Sequence, residues 1–199
     1  HINPYGSDAA VLACALRNRP PSSPAELDAV CAEHGLNLEE KTTGRDLEQV
    51  LGFLDDWAAV PDPGTDEAAR IGRVNELLAA WAGPPQLTDH AGDGWHLHYR
   101  PAPASTARIV CTMLSVGTAL FLIERGTDAI ATCAAEGCQA VFADRSRNRT
   151  QRYCSPACAN REAVRRPGAG RGAPGGSVVS LQAQAAEPAS PASGSTPPS

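Results

Sequence analysis

Residues Cys133 to Arg166 read CAAEGCQAVFADRSRNRTQRYCSPACANREAVRR. Two cysteine pairs, Cys133/Cys138 and Cys154/Cys158, lie in this stretch with fifteen residues between them. Four thiolates at such short spacings are a typical ligand set for tetrahedral zinc, and a site with four sulfur ligands has no position left for water. The spacing therefore predicts one zinc ion in a closed, structural site. Four free thiols and a redox-labile zinc switch are the alternatives.

The residues between and after the two pairs predict the local fold of this site. The connector between Cys138 and Cys154 has the pattern of a hairpin, with Val141 and Phe142 as its apolar anchors. Ser155-Pro156-Ala157 is typical of a helix start and places Cys158 in the first turn. A knuckle, a hairpin and a helix that holds the last ligands together predict a treble-clef-like zinc finger.

The cysteine-bearing stretch is basic, whereas the chain before it is acidic. Residues 133–171 hold 8 basic and 3 acidic side chains, and residues 1–132 hold 9 basic and 18 acidic ones. Clustered cations beside a structural zinc site favour binding to the phosphates of a nucleic acid. The predicted DNA contacts are Arg145, Arg147, Arg149, Arg152, Arg161, Arg165 and Arg166.

Four further polar residues of the stretch have a predicted role. Asn148 or Asn160 could contact a base edge, but we favour side chains that cap a turn or the helix behind the zinc. Asp144 and Ser146 are expected to form a turn rather than to contact a partner.

The stretch resembles the CGNR zinc-finger family. The resemblance rests on the two cysteine pairs and on Phe142, Asp144, Ser146, Arg147, Asn148, Tyr153, Cys154, Ser155 and the closing Cys158-Ala159-Asn160-Arg161. Ala159 stands where the family has Gly, and the second pair is spaced by three residues where four are common. The resemblance implies a stress-induced transcription regulator whose finger binds DNA, behind a mostly helical N-terminal domain of the ABATE type.

The chain before the finger has the apolar spacing of helices, and capping residues indicate where some of them begin. Ser23 is the predicted N-cap of the second helix, with Glu26 at the capping-box position, and Thr65 is the predicted cap of the fourth. The last helix is apolar on most sides, which predicts the centre of the core, with a dimer interface as the alternative. The five predicted helices span about 7–16, 24–34, 45–60, 66–81 and 105–124.

After the fourth helix the apolar residues change from helical spacing to alternation, which predicts a β-hairpin over residues 86–99. His96 and His98 share one face of its second strand, opposite Trp95, Leu97 and Tyr99. Two histidines at this spacing can bind one metal ion. A solvent-facing polar side is the interpretation we favour, with His90 as the only candidate for a third ligand.

We therefore predict a mainly α protein with a small β-hairpin (α+β) and a C-terminal treble-clef-like finger. The expected domains are a helical ABATE-like domain at 1–130, the finger at 131–166 and a disordered tail at 167–199, which is rich in Gly, Pro, Ser and Ala. The first residue is His1 rather than Met, so we leave the position of the natural start open. Cys14, Cys31 and Cys111 are expected to be buried free thiols.

The predicted function is a DNA-binding transcription regulator with a helical sensing or dimerisation domain. A zinc-stabilised protein–protein interaction module without DNA binding is the alternative. We expect no enzyme, because no nucleophile motif, phosphate loop or open metal site is recognisable. Zinc and DNA are the expected partners, with a homodimer and a small-molecule effector as further candidates. The run Ile109–Ile123 is interrupted by polar residues and no export signal is recognisable, so we expect no membrane contact and a cytoplasmic, nucleoid-associated bacterial protein.

Overall fold

The computed structural model describes residues 6–89, 94–100 and 103–165. Within these ranges the helices are α1 Ser7–Asn18, α2 Pro24–Glu33, α3 Gly44–Trp57, α4 Glu67–Trp81, α5 Thr106–Arg125 and α6 Pro156–Arg165. The strands are β1 Gln86–Thr88, β2 His96–His98, β3 Ile130–Thr132 and β4 Val141–Ala143. The mainly helical α+β prediction is confirmed. The predicted tail at 167–199, Arg166 and His90 lie outside the described residues.

Local side-chain bonds define where the helices begin, and they differ from the sequence prediction in two places. Ser23 caps α2 by accepting the Glu26 N–H at 3.2 Å. The Glu26 carboxylate binds the backbone N–H and hydroxyl of Ser22 instead of closing a box with Ser23. The reciprocal capping box lies at α3, between Thr43 and Asp46. The capping-box role predicted for Glu26 is therefore wrong.

The N-cap of α4 is Asp66, and the prediction of Thr65 in that role is wrong. Asp66 accepts the Ala69 N–H at 2.8 Å. The Thr65 hydroxyl is used one turn earlier, where it donates to the Asp62 carboxylate at 3.3 Å. Aspartate is at least as good an N-cap as threonine, and its charge also favours the positive end of the helix dipole.

Helix α5 lies in the core of the helical part and contacts α1, α3 and α4. By length and mean hydropathy alone, 1.8 over its best window, it could cross a membrane, but 67% of that window is buried inside the protein. Its polar groups find partners in the core, since Trp57 donates its indole N–H to the buried Thr118 hydroxyl at 3.0 Å. The helix is therefore a core helix. The three single cysteines of the helical part, Cys14, Cys31 and Cys111, are buried and free, as predicted.

Strands β1 and β2 pair antiparallel, which confirms the predicted hairpin. Its register places Thr88 opposite His96 and Gln86 opposite His98. Since directly paired residues point to the same face of a sheet, these four polar side chains share one side. Trp95, just before β2, is 73% exposed.

The second strand pair differs from the prediction. The hairpin expected between Cys138 and Cys154 contains only one strand, β4, and its partner is β3, which precedes the first cysteine pair. The first cysteine pair thus lies in the loop that connects the two paired strands. The error has a physical cause: the segment that joins β3 to β4 carries the cysteine pair and not the short Gly-Asp-Gly turn that marks the β1–β2 hairpin, so only its pairing identifies β3 as a strand.

Strands β3 and β4 are also where the finger joins the helices. Ile130, Val141 and Ala143 are buried in the same apolar cluster as the residues of α1, α3 and α5. The Thr132 hydroxyl donates to the Pro61 carbonyl at 3.0 Å. The described residues up to Arg165 form one compact unit. Ile130, the last residue of the predicted helical domain, is thus both part of the helical core and the first residue of β3.

Candidate metal centre

The four predicted ligands meet at one point of the structure. Cys133 and Cys138 come from the β3–β4 loop, and Cys154 and Cys158 bracket the start of α6. All four Sγ atoms lie within 4.8 Å of one another. The Sγ–Sγ distances are 3.8 Å for Cys138 and Cys154, 3.7 Å for Cys154 and Cys158, and 3.8 Å for Cys138 and Cys158. Four sulfurs placed about 2.3 Å from a tetrahedral zinc ion are about 3.8 Å apart.

The surrounding backbone holds the thiols in this arrangement. The Cys133 N–H donates to the Ala140 carbonyl and the Ala134 N–H to the Arg152 carbonyl, at 2.8 and 2.9 Å. These bonds close the first cysteine loop and tie it to the segment that precedes the second pair. The Cys154 N–H then donates to Cys133 Sγ at 3.3 Å. Such bonds orient metal ligands and stabilise the thiolate form that binds zinc.

Helix α6 positions the last ligand. The Ser155 hydroxyl accepts the Cys158 N–H at 3.3 Å, which caps the helix start and fixes Cys158 in its first turn, as predicted. The Arg161 guanidinium donates to Cys158 Sγ at 3.5 Å. A positive group beside a thiolate favours the ionised form. One turn of helix therefore both places Cys158 and stabilises its charge.

Without a metal ion, the thiols of Cys154 and Cys158 differ in pKa. Hydrogen bonding from Ser155, with burial opposing it, lowers the pKa of the Cys158 thiol to about 7. Burial, and then hydrogen bonding with Cys158, raises the pKa of the Cys154 thiol to about 12. A metal ion must therefore displace the proton of Cys154, which couples zinc uptake to proton release.

The donor set and its surroundings fit one structural zinc ion. Cys133 and Cys158 are buried with Ala135, and Tyr153 packs against them. Four sulfur donors at tetrahedral spacing leave no open coordination position for a substrate or an activated water. When bound, zinc supplies folding stability to this small cluster rather than Lewis-acid chemistry.

A turn beside the centre is organised by Asp144, which is buried. Its carboxylate accepts the Ser146 N–H at 2.8 Å, the Ser146 hydroxyl at 2.6 Å and the Gln151 N–H at 3.2 Å. The Ser146 hydroxyl in turn accepts the Thr150 N–H at 3.0 Å. The prediction that Asp144 and Ser146 form a turn is confirmed. Arg149 lies inside this turn with a φ of 53°, an uncommon conformation for a residue with a side chain.

Some of the predicted DNA-contacting arginines are already paired with acidic groups. Arg149 pairs with Asp128 just after α5. Arg165 pairs with Glu136 of the cysteine loop and with Glu162 one turn back on α6. The i,i+3 spacing of Glu162 and Arg165 is a sequence signal for such a pair. The other two pairs could not be found from sequence, because they join separate segments.

Three of the other predicted DNA-contacting arginines present their charge to solvent. Arg145, Arg147 and Arg152 are exposed and make no ion pair with any other described residue. Asn148 and Asn160 are exposed too, and neither side chain makes a hydrogen bond within the described ranges. The capping roles favoured for these two asparagines are therefore not seen. Asn148 in the turn and Asn160 on α6 are both accessible to a partner.

The fold and the site together define a small four-cysteine zinc finger whose two strands are built into a helical unit. Residues 130–169 match the family model described as the CGNR zinc finger. The match begins at the first residue of β3 and includes all four thiols, so the family module contains the strand pair as well as the ligands. No curated protein matches the chain.

Proposed function

We propose that this protein is a DNA-binding transcription regulator that uses its zinc finger to contact the phosphate backbone. The supporting observation is the group of exposed arginines without an acidic partner among the described residues beside the closed metal centre, Arg145, Arg147 and Arg152. In this proposal the protein is not an enzyme. Its zinc is structural, and its surface arginines bind the DNA phosphates. It acts in the bacterial cytoplasm, associated with the nucleoid.

The charge distribution supports an orientation on DNA. The part of the chain before the finger is acidic, so it is repelled by phosphates while the basic finger is attracted. The finger stays net positive with its acidic residues included, since residues 133–165 hold six arginines against Glu136, Asp144 and Glu162. Binding from one side leaves the helical part free for a second task.

In this proposal the helical part, ABATE-like by resemblance, senses a stress-related effector or mediates dimerisation. Direct bonds between the helices and the finger support such coupling. Arg125, the last residue of α5, donates to the Ser146 carbonyl in the turn that presents Arg145 and Arg147. A shift of α5 on effector binding would therefore move the turn that faces DNA.

The test is the salt dependence of binding to a mixed-sequence DNA duplex. Each phosphate contact contributes about 0.9 to the slope of log K against log salt. We expect the double variant Arg147→Ala/Arg152→Ala to weaken binding and to flatten the slope by about 1.8. The matched control is Arg73→Ala, which removes an arginine of α4 that pairs with Glu76 at 2.8 Å. Equal slopes for wild type and the double variant would overturn the proposal.

A zinc-stabilised protein-interaction module is the second candidate, and one surface favours it. A groove of about 400 Å³ runs along residues 150–156 and Ala159, beside Tyr153. Val164 on α6 is 85% exposed. Affinity capture from nuclease-treated lysate tests this function, with Val164→Asp as the disrupting variant. A protein partner retained by wild type and lost by the variant, combined with no DNA binding, would replace the first candidate.

A further inference from the structure

The hairpin β1–β2 brings two imidazoles into contact. His96 and His98 lie two residues apart on β2, both half-buried, with ring centroids 4.9 Å apart. Their Nε2 atoms are 3.2 Å apart. The opposite strand places Thr88 and Gln86 on the same face. The four polar residues thus share one face of the hairpin, well separated in sequence from the cysteine centre.

The hydrogen bonding of His96 fixes which of its nitrogens carries the proton. Its Nδ1 lies 2.8 Å from the Gly94 carbonyl oxygen. A carbonyl can only accept, so Nδ1 carries the proton and the neutral ring has its lone pair on Nε2, towards His98. Metal-ligating histidines typically bond a backbone carbonyl through the other ring nitrogen in this way.

We propose that His96 and His98 form a second metal site, which binds an exchangeable divalent transition metal ion through both Nε2 atoms. A zinc ion placed 2.0–2.1 Å from two nitrogens that are 3.2 Å apart is bound at an angle of about 100°, close to tetrahedral. Imidazole pairs suit Zn²⁺, Ni²⁺ and Cu²⁺. Water completes the shell, so this site is open whereas the cysteine centre is closed.

A competing arrangement has no metal. In it, the His98 Nε2–H donates to the His96 Nε2 lone pair across the same 3.2 Å. The two arrangements differ in one proton: metal binding requires both Nε2 atoms to be unprotonated, whereas the hydrogen bond keeps a proton on His98 Nε2. The proton on His98 Nε2 therefore distinguishes the two arrangements.

The experiment titrates Zn²⁺ into full-length protein whose cysteine centre already holds one zinc, with calorimetry and ¹⁵N-imidazole NMR as readouts. We expect a second equivalent to bind, with shifts at the nitrogens of His96 and His98 and loss of the His98 Nε2 proton. His96→Ala and His98→Gln should each weaken this second binding at least tenfold while the first zinc is retained, which shows that the variants fold. His34→Ala is the matched control, since His34 lies on the helical part and bonds the Val30 carbonyl.

Three results would overturn the proposal. The first is a wild-type protein that takes up only one zinc. The second is a second equivalent that binds equally to His96→Ala. The third is a His98 Nε2 proton that persists at saturating metal, because a protonated Nε2 cannot bind a metal ion.

Discussion

Asn18 and Val141 form two reciprocal hydrogen bonds across 123 residues of sequence. The Asn18 Nδ2 donates to the Val141 carbonyl, and the Val141 N–H donates to the Asn18 Oδ1, each at 2.8 Å. The side-chain amide thus uses one N–H and its oxygen to bind β4 as a neighbouring strand would. The last residue of α1 therefore attaches the first helix directly to the zinc finger.

We expect Asn18→Ala to destabilise the zinc-loaded protein by about 1–3 kcal/mol, because it leaves both backbone groups of Val141 without their partner. Urea unfolding followed by circular dichroism measures the change. Zinc content should stay at one equivalent, since the thiols are not touched. The matched control is Asn148→Ala, an exposed asparagine without a hydrogen bond in the described part of the chain. Equal stability of the two variants would show that the amide contributes nothing.

Removal of the metal should affect more than the finger. We expect one zinc per chain at the cysteine centre, lost in Cys138→Ser and Cys154→Ser but retained in Cys14→Ala, whose thiol is buried among the helices. Since Ile130 and Val141 belong to the helical core, unfolding of the finger removes apolar contacts from α1–α5. The melting midpoint of the helical signal should fall by roughly 2–4 °C for each kcal/mol lost. A midpoint unchanged by chelation would contradict this coupling.

Helices α1 and α5 approach so closely at Gly117 that no side chain fits there. A Cβ on Gly117 would lie 2.2 Å from the Ala9 Cβ, far inside van der Waals contact. Gly117→Ala is therefore expected to cost about 1–3 kcal/mol by forcing the helices apart. Gly72 in α4 has nothing within 4 Å of such a Cβ. Gly72→Ala should instead stabilise by about 0.5–1 kcal/mol, so thermal melts of the two variants must shift in opposite directions.

Asp46 joins the starts of two helices through one carboxylate. It closes the capping box of α3 with Thr43 and accepts the buried Ala107 N–H of α5 at 3.0 Å. Asp46→Ala should cost about 2–4 kcal/mol, as loss of a cap is combined with an unpaired buried donor. Asp66→Ala, which removes the exposed cap of α4, should cost about 1 kcal/mol. Equal losses would argue against the bond to α5.

The same carboxylate gives a pH dependence with a defined sign. Burial raises the pKa of Asp46, but hydrogen bonds from Thr43 and Ala107 outweigh it, so the pKa in the folded protein is lowered. The stabilisation is therefore complete above the unfolded-state pKa of about 3.9 and is lost as the pH falls through the lower folded-state value. The difference in unfolding free energy between wild type and Asp46→Ala should be constant from about pH 7 to about pH 5 and shrink below about pH 4. A difference that already shrinks at about pH 6 would contradict this.

Much of the site could be predicted from the sequence, because the ligands of a small zinc finger are set by local spacing. The Cys158 position in the first turn of α6 followed from Ser155-Pro156, and the Asp144 turn from its residue types. The helix starts were less secure, since neighbouring Thr65 and Asp66 are both competent caps. Only the bond that Thr65 makes to Asp62 decides between them.

The sequence by itself determined the closed cysteine set, the order of helices and the hairpin with paired histidines, because each depends on residues close along the chain. The tertiary structure alone decided that β3 pairs with β4, that Asn18 binds Val141, and which arginines are neutralised by acidic partners. These features join segments that are far apart in sequence. Strand β3 and single polar contacts have neither a periodic pattern nor a turn signal of their own, so their partners become known only when the chain is folded.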